Sequence, residues 1–220
     1  MPLRIWPPGT RFGDMPLRFA TTGWERLEPN VFRNHDDDIA EVQYLVMAPD
    51  LPAPLTDEDR LRRATVANTA ALGAGVIELD VITVDGLPAI RQIVKVRRPG
   101  HEHGVVYIAA LTIPRVDRSV VLKFHCPERG VTGMREAVAF AEFHTEYGRN
   151  RPFSDILRMW AVHPYAPDVT GGLPRNLSEE PTLDPTYPDH PLTRARRLLS
   201  TLAPTIHLNP AFKSAPPWPG

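Results

Sequence analysis

Hydrophobic and polar positions alternate most regularly between residues 76 and 128, where four β-rich runs follow one another. Three turn signals rich in Pro, Gly and Asp separate these runs, at 85–88, 99–104 and 114–117. Connections this short cannot cross a sheet to begin a parallel strand, so neighbouring runs should pair antiparallel. The pattern therefore predicts a four-stranded meander over 76–128.

Two helices are marked by their caps as well as by their spacing. The first is predicted to begin at Thr56, a natural N-cap followed by acidic residues that suit the positive end of a helix. Gly73 or Gly75 should end it. The second begins at Pro191, which suits the first helical position, carries leucines along one face and stops before Pro204.

A further helix is predicted between these two, directly after the meander. It begins at the cap Thr132 and runs to about Tyr147, and its spacing places Met134, Val138 and Ala141 inward, with Phe140 as a further candidate. Helices before and after a meander predict an α+β fold, with an antiparallel sheet flanked by helices.

Proline usage divides the chain. Of its 25 prolines, 13 lie in residues 151–220, so we expect an α+β body at 1–150 and a proline-rich C-terminal arm at 151–220. The arm keeps many apolar residues, which a disordered tail would lack, and should pack on the body or on a partner subunit. Short strands are predicted at 15–20 and 41–47.

The net charge and the cysteine content indicate which partners and which cellular compartment to expect. With 25 basic and 26 acidic residues, the net charge of −1 gives no general attraction to nucleic acid or anionic membrane. The single cysteine, Cys126, excludes an internal disulfide and fits a reducing compartment. Residues 1–19 contain no apolar leader segment, and no run of about 18 apolar residues occurs. These features predict a cytoplasmic protein without a membrane span.

Catalytic and cofactor motifs are missing from the sequence. There is no Gly-x-Ser-x-Gly elbow, no Gly-x-x-x-x-Gly-Lys loop and no Gly-x-Gly-x-x-Gly turn. Cys126 shares a strand face with Leu122 and Phe124 and should be a buried hydrophobe. We predict no catalytic residue and no cofactor.

Polar residues in and around the meander are the candidates for binding a small ligand. They are Arg91, Lys95, His101, His103 and His125. The His101-x-His103 pair matches no standard metal site, and the acidic run after His35 lacks calcium-loop spacing. Both are expected to be solvated, and no metal is predicted.

Candidate interaction residues lie in the arm. They are Arg194, Arg196 and Arg197, opposite the leucines of the helix that begins at Pro191, and Trp218 near the C-terminus. The arginines could meet an acidic partner or phosphates, but a solvated face balanced by carboxylates is favoured, and nucleic acid binding is not expected. The leucine face could pack on the body or join two subunits in a homodimer.

The order of elements resembles a known family. Gly23-Trp24 near the start, a helix before the sheet, the 85–89 hairpin and a closing helix are similar to the PsbP-like α/β/α sandwich. The composition and the arginine- and proline-rich tail resemble those of proteins from high-GC actinobacteria. The resemblance covers about residues 15–150 and implies a binding, adaptor or secretion-associated module.

These observations favour a non-catalytic binding or adaptor module for another protein. The alternative is a small-ligand-binding protein or enzyme whose pocket lies between the sheet and the arm. In that case the five polar residues of the meander would supply the polar groups of the pocket.

Overall fold

A computed structural model gives the fold and describes residues 15–129 and 133–219. The strands are β1 (Leu17–Arg18), β2 (Glu25–Glu28), β3 (Val31–Arg33), β4 (Ile39–Leu45), β5 (Gly75–Val84), β6 (Leu87–Arg97), β7 (Val105–Arg115), β8 (Arg118–Pro127) and β9 (His207–Leu208). The helices are α1 (Glu58–Ala71), α2 (Met134–Tyr147), α3 (Phe153–Trp160), α4 (Pro191–Leu202) and α5 (Pro210–Lys213). The predicted α+β class is confirmed. Within the described ranges, no helix is long and apolar enough to cross a membrane.

Seven strands form one antiparallel sheet in the order β2-β3-β4-β8-β7-β6-β5. The predicted meander is confirmed as β5 to β8, in which each strand pairs antiparallel with the next. Asp85 and Gly86 form its first turn with positive φ angles of 46° and 81°, as a two-residue hairpin requires. Because β4 pairs with the outer side of β8, the last strand of the meander lies inside the sheet.

The two faces of the sheet are covered by different parts of the chain. On the face that we call the arm face, α4 packs against β7 and β8 through Leu192, Ala195 and Leu199. The opposite face, at β5 and β6, is covered by α1 through Leu61 and Val66. The arm helix therefore belongs to the main core.

The outer edge of β5 is closed by side chains of α1 and the arm. Arg62 Nε donates to the carbonyl of Leu79 at 2.8 Å, and the N–H of Leu79 donates to the hydroxyl of Tyr165 at 3.3 Å. The N–H of Val81 donates to Glu58 Oε1 at 2.9 Å. These bonds occupy backbone groups that would otherwise pair with a strand from another chain.

The arm also contacts the body at two other places. β9 pairs with β1 through Leu208 and Leu17, and the N–H of Asn209 donates to the carbonyl of Pro16 at 2.8 Å. Near the C-terminus, Pro217 bridges to Arg115 at the end of β7. Contact between the arm and a second subunit stays a prediction.

Two predicted helix caps can be compared with the structure. α1 is capped by Asp57, whose side chain accepts from the N–H of Arg60 at 3.1 Å, so the assignment to Thr56 is wrong by one residue. The predicted cap of α2, Thr132, lies outside the described residues. The residue before α2 is Gly133, which makes no side-chain cap bond.

The predicted inward face of α2 is wrong for Met134, Val138 and Ala141, which are exposed. Phe140 is half-buried and packs against Trp160, and the buried residues of the helix are Arg135 and Phe143. Apolar residues occur on both sides of this helix, so their spacing alone could not distinguish the buried side.

Candidate functional site

Buried charges hold the arm to the sheet, beginning with the ion pair between Lys95 of β6 and Glu179. Lys95 Nζ donates to both carboxylate oxygens of Glu179 at 2.9 Å, and the hydroxyl of Tyr107 donates to Oε1 at 2.8 Å. The N–H of Asn176 donates to Oε2 at 2.8 Å. The side chains of Lys95 and Glu179 are only 8% and 2% exposed. Each charge therefore depends on the other for its compensation.

A second cluster lies beside this pair on the same face of the sheet. Arg196 of α4 donates to Glu78 Oε1 at 2.6 Å and to Asp184 Oδ1 at 2.8 Å. Arg91 of β6 donates to Glu78 Oε2 at 3.0 Å and to Asp80 Oδ2 at 3.1 Å. Glu78 thus links Arg91 of the sheet to Arg196 of the arm helix.

Arg135 of α2 joins the same network and is almost fully buried, at 1% exposure. It donates to the carbonyls of Ser178 at 2.6 Å and Glu180 at 2.9 Å, and to Asp184 Oδ1 at 2.9 Å. The burial of Arg135 could not be predicted from the sequence, because nothing in the residues around it distinguishes a buried arginine from a solvated one. Its partners lie more than 40 positions further along the chain.

The arginines of α4 are divided between the interior and the surface. Arg194 is buried and pairs with the fully buried Asp38, to which Nη2 donates at 2.9 Å. Another N–H of Arg194 donates to the carbonyl of Asp189. The expectation of a solvated face is therefore wrong for Arg194 and Arg196, which are needed inside the chain to neutralise carboxylates. Arg197 is exposed as expected.

A cleft of about 190 Å³ opens at one end of this network, between the sheet and the arm. Its polar side chains are Lys95, Tyr107, Glu128, Glu136, Ser178, Glu179 and His190. Burial raises the pKa of Glu136, whereas burial and the nearby charge of Arg135 lower the pKa of His190 to about 3. Three glutamates and a neutral imidazole face one lysine. That balance favours a small cation with N–H donors over an anion.

The structure does not bring the five predicted ligand-binding residues together. Arg91 and Lys95 lie on the arm face, but only Lys95 lines the cleft. His125 lies on the opposite face of β8, because successive strand residues alternate in direction. His101 and His103 are exposed in the β6–β7 hairpin. The grouping of these residues into one site is therefore not what the geometry shows.

Two other predicted residues have distinct environments. Cys126 is buried, and burial raises the pKa of its thiol. Trp218 is half-buried next to Pro217, which bridges to the end of β7. In the described ranges, no group of three or more His, Cys, Asp or Glu side chains could hold a metal ion.

The α2–α3 pair forms a separate surface feature. Phe143 of α2 packs on Ile156 and Trp160 of α3, and the rings of Phe140 and Trp160 are 5.0 Å apart. Several large apolar side chains of the two helices nevertheless remain exposed. They are Met134, Val138, Tyr147, Phe153, Leu157 and Met159. We call these six residues the exposed apolar surface of α2–α3.

Comparisons with known proteins found a likeness among the solved structures. No protein-family model and no curated protein matches the chain. The chain is similar to the solution structure of cyanobacterial PsbP (CyanoP) from Synechocystis sp. PCC 6803, with 16% identity and a TM-score of 0.28. The match covers 50% of this chain and 80% of that chain. A likeness at that TM-score does not assign a function, and the resemblance to actinobacterial proteins stays a prediction.

Proposed function

We propose that this chain is a non-catalytic protein-binding module that associates with a second copy of itself through α2 and α3. The observation that carries the proposal is the exposed apolar surface of α2–α3, in which Met134 is 52% and Phe153 is 59% exposed. On α2, Met134, Val138 and the exposed Ala141 recur at helical intervals and form one stripe. Large apolar side chains exposed on neighbouring helices are typical of protein interaction sites.

Charge complementarity supports a second copy as the partner. The exposed charges of α2 are acidic, whereas those of α3 and the turn before it are mainly basic. Away from the cleft, they are Glu142 and Glu146 on α2, and Arg149, Arg151 and Arg158 at α3. Arg158 lies 3.4 Å from Asp155 of its own helix, a solvated pair. Two copies related by a two-fold axis could place the α2 of each against the α3 of the other, with favourable charges in both contacts.

The non-catalytic part of the proposal is supported by the state of the one thiol. Cys126 is buried and its pKa is raised, which opposes formation of the nucleophilic thiolate. A cytoplasmic location belongs to the same proposal, because an unpaired cysteine fits a reducing compartment. Neither nucleic acid nor membrane is among the proposed partners.

The test is the sedimentation velocity of the unaltered chain and of two charge variants. Val138→Lys and Leu157→Lys place a cation on the proposed interface, and we expect both to shift a dimer to monomer. Leu72→Lys is the matched control, because Leu72 is 86% exposed at the end of α1, outside this surface. A monomeric unaltered chain, or a dimer that tolerates both interface variants, would contradict the proposal.

A second candidate function is supported by the cleft between the sheet and the arm. Its three glutamates favour a small organic cation, bound near Lys95, Glu136 and His190. The test is titration with n-butylammonium and, as the opposite-charge control, butyrate, followed by backbone amide NMR. This candidate would be favoured if n-butylammonium, but not butyrate, shifted the amide signals of residues around the cleft, and if Glu136→Gln weakened that effect. Equal or absent shifts would exclude it.

A further inference from the structure

A second cavity, of about 420 Å³, lies in the loop that joins α3 to the arm's 3₁₀ turns. Its walls are mostly apolar, and its one buried polar side chain is His163. The lining residues that matter here are Ala161, Val162, His163, Pro167, Val169 and Pro174. A cavity of about 150 Å³ already admits benzene, so this one has room for a bicyclic molecule.

His163 has one ring nitrogen that the protein does not satisfy. The side chain is 3% exposed, and Nε2 lies 2.8 Å from the carbonyl oxygen of Gly171. A carbonyl can only accept, so Nε2 must carry the proton and Nδ1 must be the acceptor in the neutral ring. Among the described residues Nδ1 has no hydrogen-bond partner. A buried acceptor without a partner is uncommon, and it calls for a donor from outside the chain.

The loop around the cavity is held in place by close backbone packing. The N–H of Leu173 donates to the carbonyl of Ala74 at 3.0 Å, and that of Val162 donates to the carbonyl of Arg175 at 2.9 Å. Gly172 approaches α1 so closely that a Cβ there would lie 2.4 Å from the carbonyl oxygen of Ala74. The cavity is thus formed in advance, which lowers the cost of ordering on binding.

We propose that this cavity binds a small, mostly apolar molecule that carries one hydroxyl or N–H group, and that this group donates to His163 Nδ1. The apolar walls take the body of the molecule, and the unpartnered nitrogen selects the donor. None of the six residues of the exposed apolar surface of α2–α3 lines the cavity, which shares only the charged Arg158 with the proposed contact. The inference does not rest on the proposed function.

The test compares indole with 1-methylindole, which has the same bicyclic body but no N–H. Binding to the full chain is followed by amide NMR shifts of Gly171 and neighbouring residues. We expect indole to bind about tenfold more tightly, which corresponds to about 1.4 kcal/mol. His163→Phe should remove this preference, and His103→Phe, at an exposed histidine, should leave it unchanged.

Three results would overturn the proposal. One is equal affinity of the two probes, which would mean that Nδ1 binds nothing but water. Another is a set of amide chemical-shift changes at residues away from the cavity. The third is the absence of any chemical-shift change at the solubility limit of indole. The probe comparison uses the unaltered protein, so it decides the matter even if His163→Phe fails to fold.

Discussion

The ion pair of Lys95 and Glu179 offers a quantitative test of how the arm is fixed to the sheet. Lys95→Met keeps most of the side-chain volume and removes the charge. Glu179 would retain only the bonds from the Tyr107 hydroxyl and the Asn176 N–H, because Lys95 supplies the other two contacts at 2.9 Å. The carboxylate would then be buried without a compensating cation.

The expected magnitude follows from burial. Removal of one partner of a buried ion pair typically costs about 3–5 kcal/mol of the free energy of unfolding. The matched control is Arg33→Met, which removes the Arg33–Glu25 pair at 2.6 Å, whose side chains are 42% and 63% exposed. An exposed pair of this kind contributes little to stability, because solvent and salt screen its charges. The two variants should therefore differ several-fold in their loss of stability.

Urea unfolding followed by tryptophan fluorescence measures both losses. With a slope of about 2–3 kcal/mol per molar urea, Lys95→Met should lower the midpoint by about 1–2 M. If Lys95→Met costs no more than Arg33→Met, the arm is not held to the sheet by this pair and the reasoning is refuted.

Three further predictions concern pH, backbone space and thiol reactivity. The ring of His190 stays neutral in the folded chain down to pH of about 3, whereas it takes up a proton near pH 6.5 in the unfolded chain. The free energy of unfolding should thus fall by about 2 kcal/mol between pH 7 and 5 because of this one group. His190→Asn can still cap α4 but should lose this part of the pH dependence, as measured by urea unfolding at the two pH values. An unchanged pH dependence would contradict the role given to His190. Gly172→Ala should destabilise the chain by about 2 kcal/mol or more in thermal unfolding, because its Cβ would meet the carbonyl of Ala74 at a φ of +65°. Gly171→Ala, also at positive φ but with open space, should cost only about 1 kcal/mol, and equal losses would argue against the close packing. Cys126 should react with a thiol reagent only on unfolding, and rapid labelling of the native chain would show that it is accessible.

The sheet could be predicted because its signals are local. The turn residues between the strands of the meander lie at its observed turns, and two-residue alternation marks the face on which Leu122 and Phe124 are buried. The start of α4 at the predicted Pro191 is likewise a local feature, and its cap is the preceding residue, His190. Local chemistry of this kind does not depend on what folds over it.

The charged contacts could not be predicted, because they depend on pairs that are distant in the chain. Arg194 meets Asp38 across 156 positions, and Lys95 meets Glu179 across 84. A single sequence gives no measure of such proximity, and the usual state of an arginine or lysine is solvated. The unpaired nitrogen of His163 has no local sequence signal either, because it arises from the bond between Nε2 and the carbonyl of Gly171.

The central claim, association of two copies through α2 and α3, is tested most directly by site-specific cross-linking. Ala141→Cys introduces an exposed thiol on the α2 stripe, while the native Cys126 remains buried. With a short bis-maleimide, the account predicts a cross-linked species of twice the 24.6 kDa chain mass for an equimolar mixture of Ala141→Cys and Leu157→Cys chains, because α2 of one copy meets α3 of the other. It predicts none for a mixture of Leu72→Cys and Leu157→Cys chains. Chains that stay at 24.6 kDa in both mixtures, or that cross-link equally in both, would contradict it.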